Sequence, residues 1–305
     1  MHFDVTMAIG SFLVAIVVGL TGMGGGALMT PMLVTFFGVP PLAAVSSDLV
    51  AAVFMKPVGS FVHLRRGTVN LRLVAWLCVG SVPAAFSGVL LFKAFGGGEG
   101  AQDFIQKALG VALLIAAAGL VFRMLSKNKS GDGERPDVKI RPIPTVIVGV
   151  LGGVVVGITS VGSGSLIIVA LLALYPTLQA NQLVGTDLLQ AVPLVAAAAL
   201  GHILFGDFQL AITASVLVGS IPGVYLGSRI SSVAPGALIR RALVVVLVAS
   251  ALKMFGVPAA ILAWVLLALV VVSAGTWALM RGRFRTPPPE PAAAEPALAE
   301  DRSSG

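Results

Sequence analysis

Charged residues are scarce in this chain: 11% of its 305 positions, against 57% that are apolar. A soluble domain carries about 25% charged residues, so a globule bathed in water is excluded. Cysteine is almost absent. Cys78 alone forms no internal disulfide and offers no metal or redox spacing, which leaves it a small buried apolar role. The apolar runs are continuous and do not alternate in polarity, which excludes a β-barrel. No Gly-x-x-x-x-Gly-Lys-Ser/Thr loop occurs, so neither ATP coupling within the chain nor a cofactor is expected. Met1-His2-Phe3-Asp4 lacks the basic start of a signal peptide and is expected to be retained. The net charge of +7 reads as cytoplasmic loops and not as a nucleic-acid partner.

What the chain has is apolar stretches from residue 7 to residue 280, long enough to cross about 30 Å of hydrocarbon. The expected fold is all-α, a polytopic protein whose partner is the lipid bilayer. Residues 7–37 are interrupted by Gly22-Met23-Gly24-Gly25-Gly26 and precede helices at about 41–64, 68–94 and 103–125. The order recurs: 143–175, interrupted at Val161-Gly162-Ser163-Gly164-Ser165, then 179–205, 208–230 and 235–255. The expected units are repeat 1 over 5–125, a polar cytoplasmic linker at 126–141 and repeat 2 over 142–256. An extra transmembrane helix follows at 257–281, and a Pro/Ala/Glu-rich disordered cytoplasmic tail at 286–305.

The recurrence is written in the residues. Asp48 and Asp187 lie 139 positions apart, and the same offset pairs His63 with His202, Gly80-Ser81 with Gly219-Ser220, and Pro83 with Pro222. Of the 41 positions from 48 to 88, 13 are identical, which makes the two halves copies of one unit. Upstream, at an offset of 138, Gly19-x-Thr21-x-x-Gly24-x-Gly26 pairs with Gly157-x-Thr159-x-x-Gly162-x-Gly164.

Two full spans need about 40 residues, but 7–37 supplies 31 with glycines at its centre. Each broken segment therefore reads as a hairpin of two short helices that enters and leaves on one side. The basic residues support this. With hairpins that do not cross, the N-terminus is outside, the C-terminus is cytoplasmic, and Lys/Arg divide 16 inside to 3 outside. If each broken segment crossed once, the division would be 10 to 9, which is no bias. Three crossings between equivalent points then make the repeats inverted relative to each other, with their glycine tips approaching at the midplane.

Glycines at membrane depth permit non-helical backbone only where protein or a cavity surrounds it. Gly22, Gly24, Gly25 and Gly26 on one tip and Gly162, Ser163, Gly164 and Ser165 on the other are candidate substrate-binding residues. Helices leaving the tips from about Ala27 and Ser165 would aim free amides at a small anion. The alternative is that the glycines only let helices pack closely. Asp48 and Asp187 sit about 10–12 Å into spanning helices. There they act either as proton- or cation-linked gates or as structural carboxylates bonded to the hairpins. Lys56, replaced by Val195 in the other repeat, is either the counter-charge for an anion or a side chain snorkelling to the interface. His63 and His202 close the same pair of helices at opposite faces and join the coupling candidates. No metal site is expected, and self-association stays open.

The duplicated Gly-x-Thr-Gly-x-Gly-Gly-Gly and Gly-x-Thr-x-x-Gly-Ser-Gly-Ser patterns, each followed by Ser47-Asp48 or Thr186-Asp187, resemble the TauE/SafE sulfite-exporter family over about residues 5–280. The resemblance implies transport of sulfite, sulfonates or related sulfur-containing or short carboxylate anions across the bacterial inner membrane. A carrier with alternating access is the leading reading and a passive anion channel its rival. An intramembrane hydrolase built on Ser165 and His202 is the rival from another class. It lacks the Gly-x-Ser-x-Gly elbow, and its serine is Ala27 in the first repeat.

Overall fold

A computed structural model describes residues 4–21, 25–94, 99–125, 139–230 and 236–258, with 260, 261 and 264. Gly22, Gly24, most of the linker, most of the expected helix 257–281 and the tail lie outside these residues. The described chain is all-helical. The first five helices are α1 (Val5–Thr21), α2 (Gly26–Phe36), α3 (Pro41–Arg65), α4 (Leu71–Ala94) and α5 (Glu99–Leu125). The next five are α6 (Pro142–Thr159), α7 (Leu166–Leu174), α8 (Ala180–Phe205), α9 (Leu210–Ile230) and α10 (Gly236–Met254). Among the described residues, six helices contain stretches long and apolar enough to cross a membrane: α3, α4, α5, α6, α8 and α9. The surface agrees, since Phe36 is 80% and Ile143 74% exposed, a cladding that water would not tolerate and hydrocarbon requires.

The broken segments fold back on themselves with unequal arms. α6 has 18 residues and α7 only 9, so α6 is a full-length arm where two short ones were expected. The return is pinned by a tyrosine. Tyr175, just past α7, places its Oη 2.6 Å from Thr145 Oγ1 near the start of α6 and accepts from the Arg141 amide at 2.9 Å. In the first segment α2 likewise comes back beside α1, where a Cβ on Gly10 would meet the Phe37 ring at 3.1 Å.

Small residues set the remaining packing. Gly149, Gly153 and Gly157, four apart on one face of α6, lie on the backbone of α4 at Leu77, Ser81 and Ala85. Gly219, Gly223 and Gly227 of α9 lie in the same way on Ala8, Phe12 and Ile16 of α1. In both pairs the residue numbers rise together, so the helices run parallel. Without a hydrophobic force between helices in lipid, such close approach and its dispersion contacts are what hold them. The first helix of each half thus packs on the fourth helix of the other half. α3 and α8 cross antiparallel at the centre, linked by Ser46 to His202 at one end and Ser60 to Leu188 at the other.

A Cβ at Gly153 would stand 2.5 Å from the Ser81 carbonyl oxygen, and one at Gly223 2.5 Å from that of Phe12. Gly153→Val and Gly223→Val should each cost about 1–3 kcal/mol or more through overpacking. The readout is a lower thermal midpoint in detergent. Gly100→Ala, where nothing lies within 4 Å of the added methyl, should leave the midpoint in place.

Candidate functional site

The two tips touch. Gly26, at the start of α2, lies so close to the Ser160 carbonyl that any side chain there would collide with it. Ser160 terminates α6 in the left-handed region, with φ 59°, and its amide caps the helix on Val156 at 2.7 Å. That turn aims its hydroxyl at α3. Ser160 Oγ donates to Asp48 Oδ2 at 2.7 Å, and Thr30 Oγ1 of α2 donates to the same oxygen at 2.9 Å. Asp48 is wholly buried, and its other oxygen, Oδ1, has no partner among the described residues. Gly25 packs directly beneath it, where a Cβ would be 3.2 Å from Oδ1.

Lys56, two turns further along α3, is 7% exposed and turns inward. Its Nζ donates to Ser163 Oγ on the second tip, so it does not snorkel. Ser60, one turn on, donates to the carbonyls of both Lys56 and Leu188, which sets this stretch of α3 beside the residue that follows Asp187 on α8. Asp187, on α8, accepts at Oδ1 from Gln190 Nε2 at 3.3 Å, and Gln190 Oε1 accepts from Ser81 Oγ at 3.2 Å. The arrangement brings together one buried ammonium, two buried carboxylates and the hydroxyls of Thr30, Ser160 and Ser163.

Two expected features come out differently. The first amides of α7 are not free: those of Ser165, Leu166 and Ile167 converge on the Gly162 carbonyl at 3.0–3.4 Å. Positive φ at Gly162 (129°) and Gly164 (98°) allows the loop to curl back in this way. His202 is not at a membrane face but fully buried. Its Nε2 must carry a proton, because it donates to the Gly157 carbonyl at 2.8 Å, and its Nδ1 lies 2.8 Å from Ser46 Oγ. His63 is only half-buried and bonds Thr68 in the turn after α3 at 2.9 Å. The matched offset hides this divergence, since His202 reaches the Gly157 carbonyl of another helix while His63 stays on Thr68 in its own turn. With both ring nitrogens of His202 so engaged, Ser165 is not among its partners, which removes the geometric basis for a hydrolase dyad.

Thr30, Ser160, Gln190 and Ser46 were not singled out in the sequence. Gln190 carried a usable signal, a lone amide three residues after an intramembrane aspartate and hence on its face of the helix. Thr30 and Ser160 carried none, because only the fold brings them to Asp48.

Comparison with known proteins decides the family. The profile described as "Sulfite exporter TauE/SafE" matches residues 7–254. The chain belongs to the TauE/SafE family. Among its relatives is the Bacillus subtilis (strain 168) "probable membrane transporter protein YjnA", 38% identical over 237 residues, covering 75% of this chain and 90% of that protein. YdhB of the same organism, named in the same terms, is 25% identical over 238 residues, covering 76% of this chain and 92% of the relative. No solved structure matches. This TauE/SafE member is a multi-pass membrane transporter.

The shared acceptor yields a test. Thr30→Val and Ser160→Ala should each cost about 1–3 kcal/mol by depriving the buried carboxylate of a donor. The pair should be non-additive, because both hydroxyls serve Asp48 Oδ2. Strict additivity in thermal unfolding would mean the two hydroxyls do not share that oxygen in the folded protein.

Proposed function

We propose that the protein is a secondary carrier moving a small anion across the bacterial inner membrane by alternating access. The anion is sulfite, an organosulfonate, or a related sulfur-containing or short carboxylate species. The family description supports the substrate class. The observation that carries the mechanism is the buried Lys56 amine held on Ser163 of the second tip, on the same helix as the buried Asp48. Charges at membrane depth are costly and are retained for function. An arriving anion would take Ser163's place as partner of Lys56, bounded by Gly25, Gly26, Gly162 and Gly164 at the touching tips. Side chains rather than helix-end amides would therefore hold it.

Charge balance supplies the coupling. Two carboxylates and one ammonium leave a formal negative charge, and a second anion would double it in a low dielectric. Binding therefore requires a proton on one carboxylate, and Asp48 is placed to take it because Oδ1 is unbonded. Asp187 and His202 would tune that step from α8, with His63 a peripheral member. The antiparallel crossing of α3 and α8, and the exchange of α1 and α6 between halves, support inverted repeats 5–125 and 142–256. They also change what moves. The rocking bodies are not the sequence halves but two mixed bundles, one around α1 and α9, the other around α4 and α6. The contact of Gly26 on Ser160 closes the route between the tips, which favours a carrier over a channel.

Sulfite uptake into proteoliposomes tests this reading. Lys56→Met should lower uptake about a hundredfold, the scale of losing a buried charge partner, while Asp48→Asn should abolish the response to a pH gradient. Wild-type rates in Lys56→Met would end the assignment of Lys56 to the substrate.

A further inference from the structure

The seam between the first hairpin and α10 is open where its counterpart in the second half is closed. α10 meets α1 and α2 as α5 meets α6 and α7. In the second half, Gly119 of α5 lies so close to α7 that a Cβ there would be 2.7 Å from Val169 Cγ2. Ile167, Ile168 and Leu171 of α7 are buried in the same core as Leu113 and Leu120 of α5. In the first half, α10 turns one face, with Leu247, Ala251 and Met254, into that core. The adjoining face, with Ile239, Ala242, Val246 and Lys253, instead borders a cavity of about 610 Å³ against α1 and α2. Sites for small molecules usually enclose about 300–1,000 Å³.

This groove has an apolar length and one polar end. Its lining is apolar but for Thr35, Ser250 and Lys253. Two hydrogen bonds fix where these lie. Gln102 of α5 accepts from the amide of Leu42, just past α2, and Gln106 donates to the Met254 carbonyl at the end of α10. The ends of α2 and α10 therefore share one face of the protein, and Thr35 and Lys253 with them. From that face the walls run about 12 Å along α2 to Leu28 and about 21 Å along α10 to Ile239. One leaflet of hydrocarbon is about 15 Å deep. Neither the Lys253 ammonium nor the buried Thr35 Oγ1 has a partner among the described residues.

We propose that the groove binds one anionic phospholipid of the surrounding bilayer, its acyl chain between α2 and α10 and its phosphate on Lys253. Each part of the lipid meets a need of the site. The chain fills an apolar slot about one leaflet deep. The phosphate pairs with the free ammonium, and an ester carbonyl accepts from the orphaned Thr35 hydroxyl. The following segment of this chain, 257–280, is a poorer occupant, because it contains no Asp or Glu to meet Lys253. α2 is then held from two sides. Thr30 donates to Asp48, while the neighbouring Pro31 and Met32 lie against lipid. The site does not depend on the carrier reading above.

Native mass spectrometry of the full chain in detergent, titrated with phosphatidylglycerol, tests the site. One lipid should stay bound per chain, several-fold more tightly than phosphatidylcholine, whose choline offsets its phosphate. Retention should fall several-fold in Lys253→Gln and disappear in Ala249→Phe, whose ring fills the groove. Lys253→Gln serves alone if the second variant does not fold. Lys107→Gln, near the same face but already paired with Asp103 at 2.7 Å, should leave retention unchanged. Retention untouched by Lys253→Gln, lowered as much by Lys107→Gln, or equal for the two lipids overturns the proposal. Lipid-free dimers that split in Ala249→Phe overturn it in favour of a second copy. A disulfide joining Ala249→Cys to Ala263→Cys or Leu266→Cys, with Cys78→Ser, overturns it in favour of the segment 257–281.

Discussion

Helices surrounded by lipid gain nothing from hiding apolar surface against each other, so the fold depends on how closely their backbones can approach. Two glycine ladders meet that need, 149–153–157 on α6 and 219–223–227 on α9. Each sets one helix of one half against the backbone of the other half. Everything at the centre follows from that clamp. It draws α6 over His202, delivers Ser160 to Asp48 and presses Gly26 onto the opposite tip.

The clamp in turn makes a buried charge cluster tolerable. Asp48 is not neutralised by a direct ion partner; it is held by two hydroxyls from two different hairpins. A carboxylate bonded in this way senses the separation of the hairpins. Parting the tips strips donors from Oδ2, and gaining a proton weakens its demand for them. In the proposed carrier, charge state and tip contact would be linked through one oxygen atom.

The architecture was legible wherever it depended on composition or repetition. Continuous apolar runs set the class, the offset of 139 set the two copies, and the glycine interruptions marked the hairpins. Lys56 stood out because its counterpart is Val195. The glycine ladders were visible as residues four apart, but nothing in the chain names α4 as the partner of α6. The donors to Asp48 were hidden for the same reason: Thr30 and Ser160 are 18 and 112 positions away, and only packing brings them in. The α7 amides misled because a helix start suggests free donors, whereas a glycine carbonyl in an unusual turn already occupies them.

The pairing of α1 with α9 also bears on how the protein is made. About 190 residues separate the end of one from the start of the other, roughly 10 to 40 s of synthesis at ordinary rates. For that interval α1 has only α2 beside it, and the face that carries Ala8, Phe12 and Ile16 waits for α9. Neither half can finish folding before the other has entered the bilayer, so assembly is completed only when α9 arrives to capture the first helix made.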